Sequence, residues 1–183
     1  MRNVVMLVVP VVMAGAAHAG TLELTVEIPK LNVAEYHRPY IAIWIEDASG
    51  KVAANLSVWY DIKLKDQEGE KWLKDIRQWW RRAGRELNMP IDGVSSPTKP
   101  PGKNTVKFDT GGAAFANLPA GEYKIIVEAS REVGGKELVE IPFQWAPGAE
   151  ATGSATGKTE LGAVTFKLTK LSLIHISEPT RPY

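Results

Sequence analysis

Thr21-Leu22-Glu23-Leu24-Thr25-Val26-Glu27-Ile28 is the stretch on which the fold turns. Its apolar residues occupy every second position, so Leu22, Leu24, Val26 and Ile28 share one face and Thr21, Glu23, Thr25 and Glu27 the other. A helix would scatter those four apolar side chains around its circumference. A strand gathers them, which predicts a half-buried β-strand. The same period recurs downstream. Residues 39–45 are apolar on both faces and predict a central strand. Asp47-Ala48-Ser49-Gly50 is a turn, and Val52, Ala54, Leu56, Val58 and Tyr60 alternate on the returning arm of a hairpin. Residues 105–109 predict a short strand.

Asn117-Leu118-Pro119-Ala120-Gly121 makes another turn, into residues 122–130 with Tyr123, Ile125 and Val127 inward. Gly134-Gly135 reverses the chain again. Val139, Ile141, Phe143 and Trp145 alternate on the return, and residues 162–168 close the set with Val164, Phe166 and Leu168. About seven strands joined by short turns predict a mainly β protein, an antiparallel β-sandwich. The string Leu118-Pro119-Ala120-Gly121-Glu122-Tyr123 resembles the turn-into-strand of transthyretin-like and immunoglobulin-like modules, which implies a topology class and no function.

Residues 70–87 break the pattern. Trp72, Ile76, Trp79, Trp80, Ala83 and Leu87 recur at helical spacing, while Lys74, Arg77, Arg81 and Arg85 make a basic stripe on the other side. The spacing predicts one inserted amphipathic helix, ended by Asn88 and Pro90. Its tryptophans read as a core stripe, and its cations as a solvated face able to dock an anionic group. Loops rich in small residues and proline follow at residues 92–104 and 147–158.

The two ends have a different texture. Arg2, the apolar run of residues 4–14 and the small-x-small site Ala17-His18-Ala19 predict a secretory signal peptide over residues 1–19, too short to span a bilayer. Residues 171–183 (LSLIHISEPTRPY) follow the last alternating segment and are read as a non-native or disordered tail. Residues 20–170 are therefore expected to form one exported, periplasmic domain. The chain has 22 Lys+Arg, 21 Asp+Glu and no cysteine. That balance argues against a nucleic-acid binder, and the lack of cysteine excludes disulfides, thiolate metal sites and c-type haem attachment.

Little else suggests chemistry. His37 is the one histidine of residues 20–170, so neither a histidine-rich metal site nor a serine–histidine–acid triad is legible. Glu46, Asp47 and Asp61 stand at strand ends, where turn chemistry accounts for them. No glycine-rich nucleotide motif is present. The expectation is a protein that is not an enzyme. One alternative is a binding module for a carbohydrate or protein, working through the basic helix face and exposed aromatics, with Trp44, Trp59 and Trp145 as a platform.

Several strings give a sharper reading. Arg38-Pro39-Tyr40-Ile41-Ala42-Ile43-Trp44-Ile45-Glu46-Asp47 leads to Trp59-Tyr60, Lys71-Trp72-Leu73 and Trp79-Trp80-Arg81. Then come Asp92-Gly93-Val94-Ser95-Ser96-Pro97-Thr98-Lys99-Pro100-Pro101-Gly102, Glu128-Ala129-Ser130-Arg131-Glu132-Val133-Gly134-Gly135 and Gly157-Lys158-Thr159-Glu160-Leu161-Gly162. Together they resemble the predicted periplasmic proteins grouped as domain of unknown function 2271, over nearly all of residues 20–170. The resemblance implies an accessory of a cell-envelope redox system, partnered by an extracytosolic flavin transferase and a PepSY-type membrane reductase. It also implies a flavinylation pattern, D-x-x-[S/T]-G-A-[S/T], whose last hydroxyl is esterified to the phosphate of FMN. Asp92, Ser95 and Thr98 match that pattern; Ser96 stands in place of its glycine and Pro97 in place of its alanine. Thr98 is then the implied attachment point. Thr152-Gly153-Ser154-Ala155-Thr156 is a looser echo without the leading aspartate, read as a linker.

Overall fold

The computed structural model describes residues 20–170. The expected signal peptide and C-terminal tail lie outside the described residues. Nine strands build two sheets: β1 (Gly20–Ile28), β2 (Tyr40–Asp47), β3 (Val52–Tyr60), β4 (Ser95–Pro97), β5 (Gly102–Asp109), β6 (Gly121–Ser130), β7 (Lys136–Trp145), β8 (Ala151–Thr156) and β9 (Ala163–Lys170). One sheet runs β5-β1-β9-β8 and the other β4-β3-β2-β6-β7. Every pairing is antiparallel except β3 with β4.

The period-two reading of β1 holds residue by residue. Leu22, Leu24, Val26 and Ile28 are buried, and the alternate positions are part-exposed. They meet Ile41, Ile43, Ile45, Ile125, Val127, Ile141, Phe143 and Trp145 of the other sheet in one core between the layers. Fully burying each such side chain contributes about 1.5–3 kcal/mol. On the outer face, Thr25 and Thr105 join hydroxyls across β1 and β5 at 2.8 Å. Strand β2 lies mid-sheet between β3 and β6, and both of its faces are apolar because one meets the other sheet and the second meets the helical insertion. The turn before β6 is locked by the Tyr123 hydroxyl, which donates to the Pro119 carbonyl at 2.9 Å.

Two stretches expected as loops contain strands. Alternating small residues let β8 pair along β9, where Gly153 admits the Phe166 ring: a Cβ there would stand 2.4 Å from it. Ser95–Pro97 adds β4 beside β3.

The helical insertion departs further from expectation. Residues 70–87 do not form one helix. Short α-helices α1 (Glu68–Lys71) and α2 (Arg77–Arg82) alternate with single 3-10 turns at Lys65–Gln67, Leu73–Asp75 and Gly84–Glu86. The breaks fall at Ile76 (ψ 78) and Ala83 (φ −142). Packing against the sheet outweighs helix continuity in so short a segment. Leu73, Ile76 and Trp79 reach the outer face of the five-stranded sheet and bury with Ala42, Trp44, Val58, Tyr60 and Ile126. Leu73 turns inward and its neighbour Trp72 outward, leaving Trp72 50% exposed.

Buried polar contacts pin the insertion. Glu128, from the middle of the sheet, accepts the backbone N–H groups of Gln78 (3.0 Å) and Trp79 (2.9 Å), serving as the N-terminal acceptor that α2's own sequence lacks. Burial pushes the Glu128 carboxyl upward, and those N–H groups only partly oppose it. The Trp79 indole donates to Asn55 at 2.8 Å. Glu46, expected as a turn acid, is instead buried and accepts from the Trp44 indole (2.8 Å) and from Arg82. Asp47 does organise the turn, accepting from the N–H groups of Ser49 and Lys51.

Candidate functional site

The segment from Asp92 to Thr98 is held tightly. Asp92 and Gly93 turn the chain, Gly93 at φ 73, and the N–H groups of Val94 and Ser95 both donate to the Ile91 carbonyl. Val58 N–H and Ser57 Oγ in turn donate to the Val94 carbonyl at 2.8 and 3.2 Å. Ser95–Pro97 then runs parallel to the end of β3, with Ser96 beside Trp59 and Pro97 beside Tyr60. Proline favours an extended residue before it, and a residue without an N–H is tolerated on an outermost strand. Both preferences are met at Ser96-Pro97. Ser96 is thus an ordinary strand residue, and the positive φ that glycine would permit is taken by Gly93.

Thr98 leaves the strand beside the point where β3 ends. Its hydroxyl is part-exposed and donates to Asp61 Oδ1 at 3.1 Å. Lys99 follows, its Nζ 5.7 Å from the Trp59 ring centroid. Of the three motif residues, Asp92 is exposed in the turn, and Ser95 accepts the Ile91 N–H at 2.9 Å through its Oγ. The three side chains share no hydrogen bond among the described residues. The structure therefore pairs Thr98 with Asp61, a residue outside the motif.

Asp61 opens onto a cleft of about 400 Å3, bounded by His37 and Arg38 before β2, by Trp72 of the insertion, and by the β6–β7 turn from Arg131 to Gly134. Tyr40 lines it beside Asp61. Burial, followed by the charges of Asp61 and Glu132, pushes the Tyr40 hydroxyl up to about 12 against a backbone hydrogen bond at Asp61. That group is a neutral phenol at physiological pH. His37 bridges Glu35 (2.9 Å) and Glu132 (3.6 Å) at one side of the cleft. Among the described residues no three His, Asp or Glu side chains cluster as metal ligands.

A buried ion pair shapes the turn. Arg131 donates through Nε to Glu160 Oε2 at 2.9 Å and through Nη2 to Oε1 at 3.1 Å, with the two side chains 7% and 4% exposed. Glu160 Oε1 also accepts the Gly135 N–H at 2.8 Å. The turn so clamped holds Val133 at φ 51 and 79% exposed. A β-branched residue in the left-handed region is strained by about 1–3 kcal/mol. Glu137 anchors the facing β8–β9 loop by accepting the N–H groups of Lys158, Thr159, Glu160 and Leu161. Burial pushes its carboxyl up, but the four donors outweigh that and hold it below its ordinary value.

A family model described as "Predicted periplasmic protein (DUF2271)" matches residues 21–163. The chain belongs to this family. No curated protein and no solved structure matches it. The matched span of this DUF2271 protein runs from β1 to the start of β9 and takes in the insertion, the Asp92–Thr98 segment and the cleft. The protein is periplasmic, as the family description states. No helix among the described residues is long and apolar enough to cross a membrane.

The other expected sites fare differently. Lys74, Arg77, Arg81 and Arg85 are all exposed, and none forms an ion pair among the described residues. Lys74 instead lies 5.7 Å from the Trp72 ring centroid. The tryptophan platform is overturned: Trp44 and Trp59 are 0% exposed and Trp145 3%. Their indole N–H groups donate inward to Glu46, Ser57 and the Leu118 carbonyl, as buried tryptophans require. Sequence reasoning missed the roles of Asp61, Tyr40, Trp72 and Val133. Gly69 packs against the Asp61 carbonyl so closely that a Cβ would stand 2.1 Å from it, a contact that no local pattern announces.

Proposed function

We propose that this DUF2271 protein is a non-enzymatic accessory of a cell-envelope redox system that carries FMN esterified to Thr98. The observation that carries this reading is the Thr98 hydroxyl, part-exposed beyond a rigid strand and bonded to the Asp61 carboxylate at 3.1 Å. The residues fit the group. Attachment needs an accessible hydroxyl, a proton acceptor beside it and a fixed backbone, and Thr98, Asp61 and β4 meet those needs. In the step, Thr98 Oγ forms a bond to the phosphorus next to the flavin ribityl chain. A P–O bond of a flavin dinucleotide donor breaks, a nucleoside monophosphate leaves, and the Thr98 proton passes to Asp61 Oδ1. The transferase supplies the metal that neutralises the phosphate charge. Once bound, the flavin supplies electron transfer.

The exposed stripe Lys74, Arg77, Arg81 and Arg85 supports docking on an acidic face of a PepSY-type membrane reductase. For the fold, the Tyr123–Pro119 hydrogen bond supports an immunoglobulin-like or transthyretin-like assignment of the two sheets. The test of function is co-expression with a flavin transferase followed by intact-mass measurement. The reading expects one FMN adduct on the wild type and none on Thr98→Ala; equal adducts on both, or none on either, removes it.

A second reading, a binding module for a protein partner, is favoured by the same unpaired stripe. It expects partner capture in low salt that is lost in the fourfold Lys/Arg→Ser variant, whether or not flavin is attached.

A further inference from the structure

We propose that the cleft beside Asp61 is the seat of the flavin ring, with Trp72 against the ring face. This rests on the attachment at Thr98 set out above and assigns residues that the attachment motif does not contain. Thr98 and Tyr40 flank the same carboxylate, and that carboxylate lines the cleft, so the tether point is hydrogen-bonded to the cleft's edge.

Three features of the cleft suit such a ring. Trp72 and Val133, two of the five large hydrophobic residues left exposed among the described residues, both line it. Val133 is held there at a strained φ of 51 by the Arg131–Glu160 clamp. Solvent-facing apolar area in a cleft is a cost to the unliganded protein that an aromatic occupant relieves.

The charges are the second feature. Arg131 is paired with Glu160 and Lys136 with Asp75, which leaves Arg38 against Asp61 and Glu132, so the lining has no excess of cations. Such a lining does not suit a polyanion, and its donors and acceptors suit an uncharged ring bearing both acceptors and an N–H donor. Arg38 forms no ion pair among the described residues, which leaves its donors for ring carbonyls. The third feature is Tyr40, a neutral phenol that both donates and accepts. The phosphate end of the tether stays at Thr98, which is not among the residues lining the cleft.

Two measurements on the full chain separate this proposal from the attachment reading. In flavinylated protein, the flavin emission should be several-fold weaker than after unfolding in urea, because indole contact quenches it. Trp72→Ala should restore most of it, and Trp72→Phe should restore less emission than Trp72→Ala. Val33→Ala removes an exposed apolar residue outside the cleft and should change nothing. In unmodified protein, free FMN should gain fluorescence anisotropy when wild type or Thr98→Ala is added in excess, and gain far less with Trp72→Ala. An adduct whose emission is unquenched, or is unchanged by Trp72→Ala, overturns the seat and leaves the attachment standing. If no adduct forms, the anisotropy decides: a gain that depends on Trp72 supports the seat although the attachment has failed, and no gain overturns both.

Discussion

Breaking the Arg131–Glu160 pair should destabilise the protein far more than any surface charge change, and removing both partners should restore most of the loss. The two side chains are 7% and 4% exposed and joined by two hydrogen bonds. In Glu160→Leu the guanidinium stays buried without a counter-ion. In Arg131→Met the carboxylate does. Each single change should cost about 3–5 kcal/mol, the usual penalty for one uncompensated buried charge. The double variant leaves no charge behind. It loses only the acceptor of the Gly135 N–H, a group near the surface, so its net cost should be about 1–2 kcal/mol. The sum of the singles therefore exceeds the double several-fold, the signature of direct coupling. Equilibrium urea unfolding at pH 7, followed by tryptophan emission, measures all four proteins. A loss under about 1 kcal/mol in Glu160→Leu would put the pair in the class of solvated surface bridges and refute this reasoning. Additive losses in the double variant would do the same.

Other outcomes follow from the same geometry. Glu137 is held below its ordinary 4.5, so its contribution is complete above that pH and is lost as pH falls through the lower folded value. Glu137→Ala should cost about 1–2 kcal/mol at pH 7, at the low end for four donors because the side chain is part-exposed, and the gap from wild type should narrow as pH falls below 4.5 in urea melts. Gly69→Ala drives a Cβ into the Asp61 carbonyl, backbone against backbone, and should cost about 1–3 kcal/mol, read as a lower thermal midpoint. Because that shift moves Asp61, flavin incorporation should also fall. Asp61→Asn keeps an acceptor for Thr98 but is a poor proton acceptor; intact-mass measurement early in co-expression should show several-fold less adduct than wild type, with an unchanged urea midpoint.

The strands were legible because burial on one side of a sheet writes period two into the chain, and Leu22 to Ile28 shows it without exception. β4 and β8 were hidden because Ser, Thr, Gly, Ala and Pro write only a weak apolar alternation, although Ala151 and Ala155 of β8 pack on the core. The insertion kept its apolar residues but lost its continuity. Spacing reports which residues face the sheet on average, and it does not register that Glu128 caps α2 from the middle of the sheet or that Trp72 turns outward. The site divides the same way. Thr98, the proposed attachment point, was singled out by a motif that the sequence matches only in part. Asp61 was readable only as a turn acid, since its place beside Thr98 depends on a contact between residues 37 positions apart. Val133 gave no signal, because nothing local announces a valine at positive φ.

The most direct test is where the flavin sits on the chain. Trypsin should release residues 86–103 as one peptide, since Lys99 precedes Pro100. After co-expression with a flavin transferase, fragment ions should place the FMN mass on Thr98, leaving Ser95 and Ser96 unmodified. That peptide without added mass, or FMN found instead on the Thr152–Thr156 segment, would contradict the central claim.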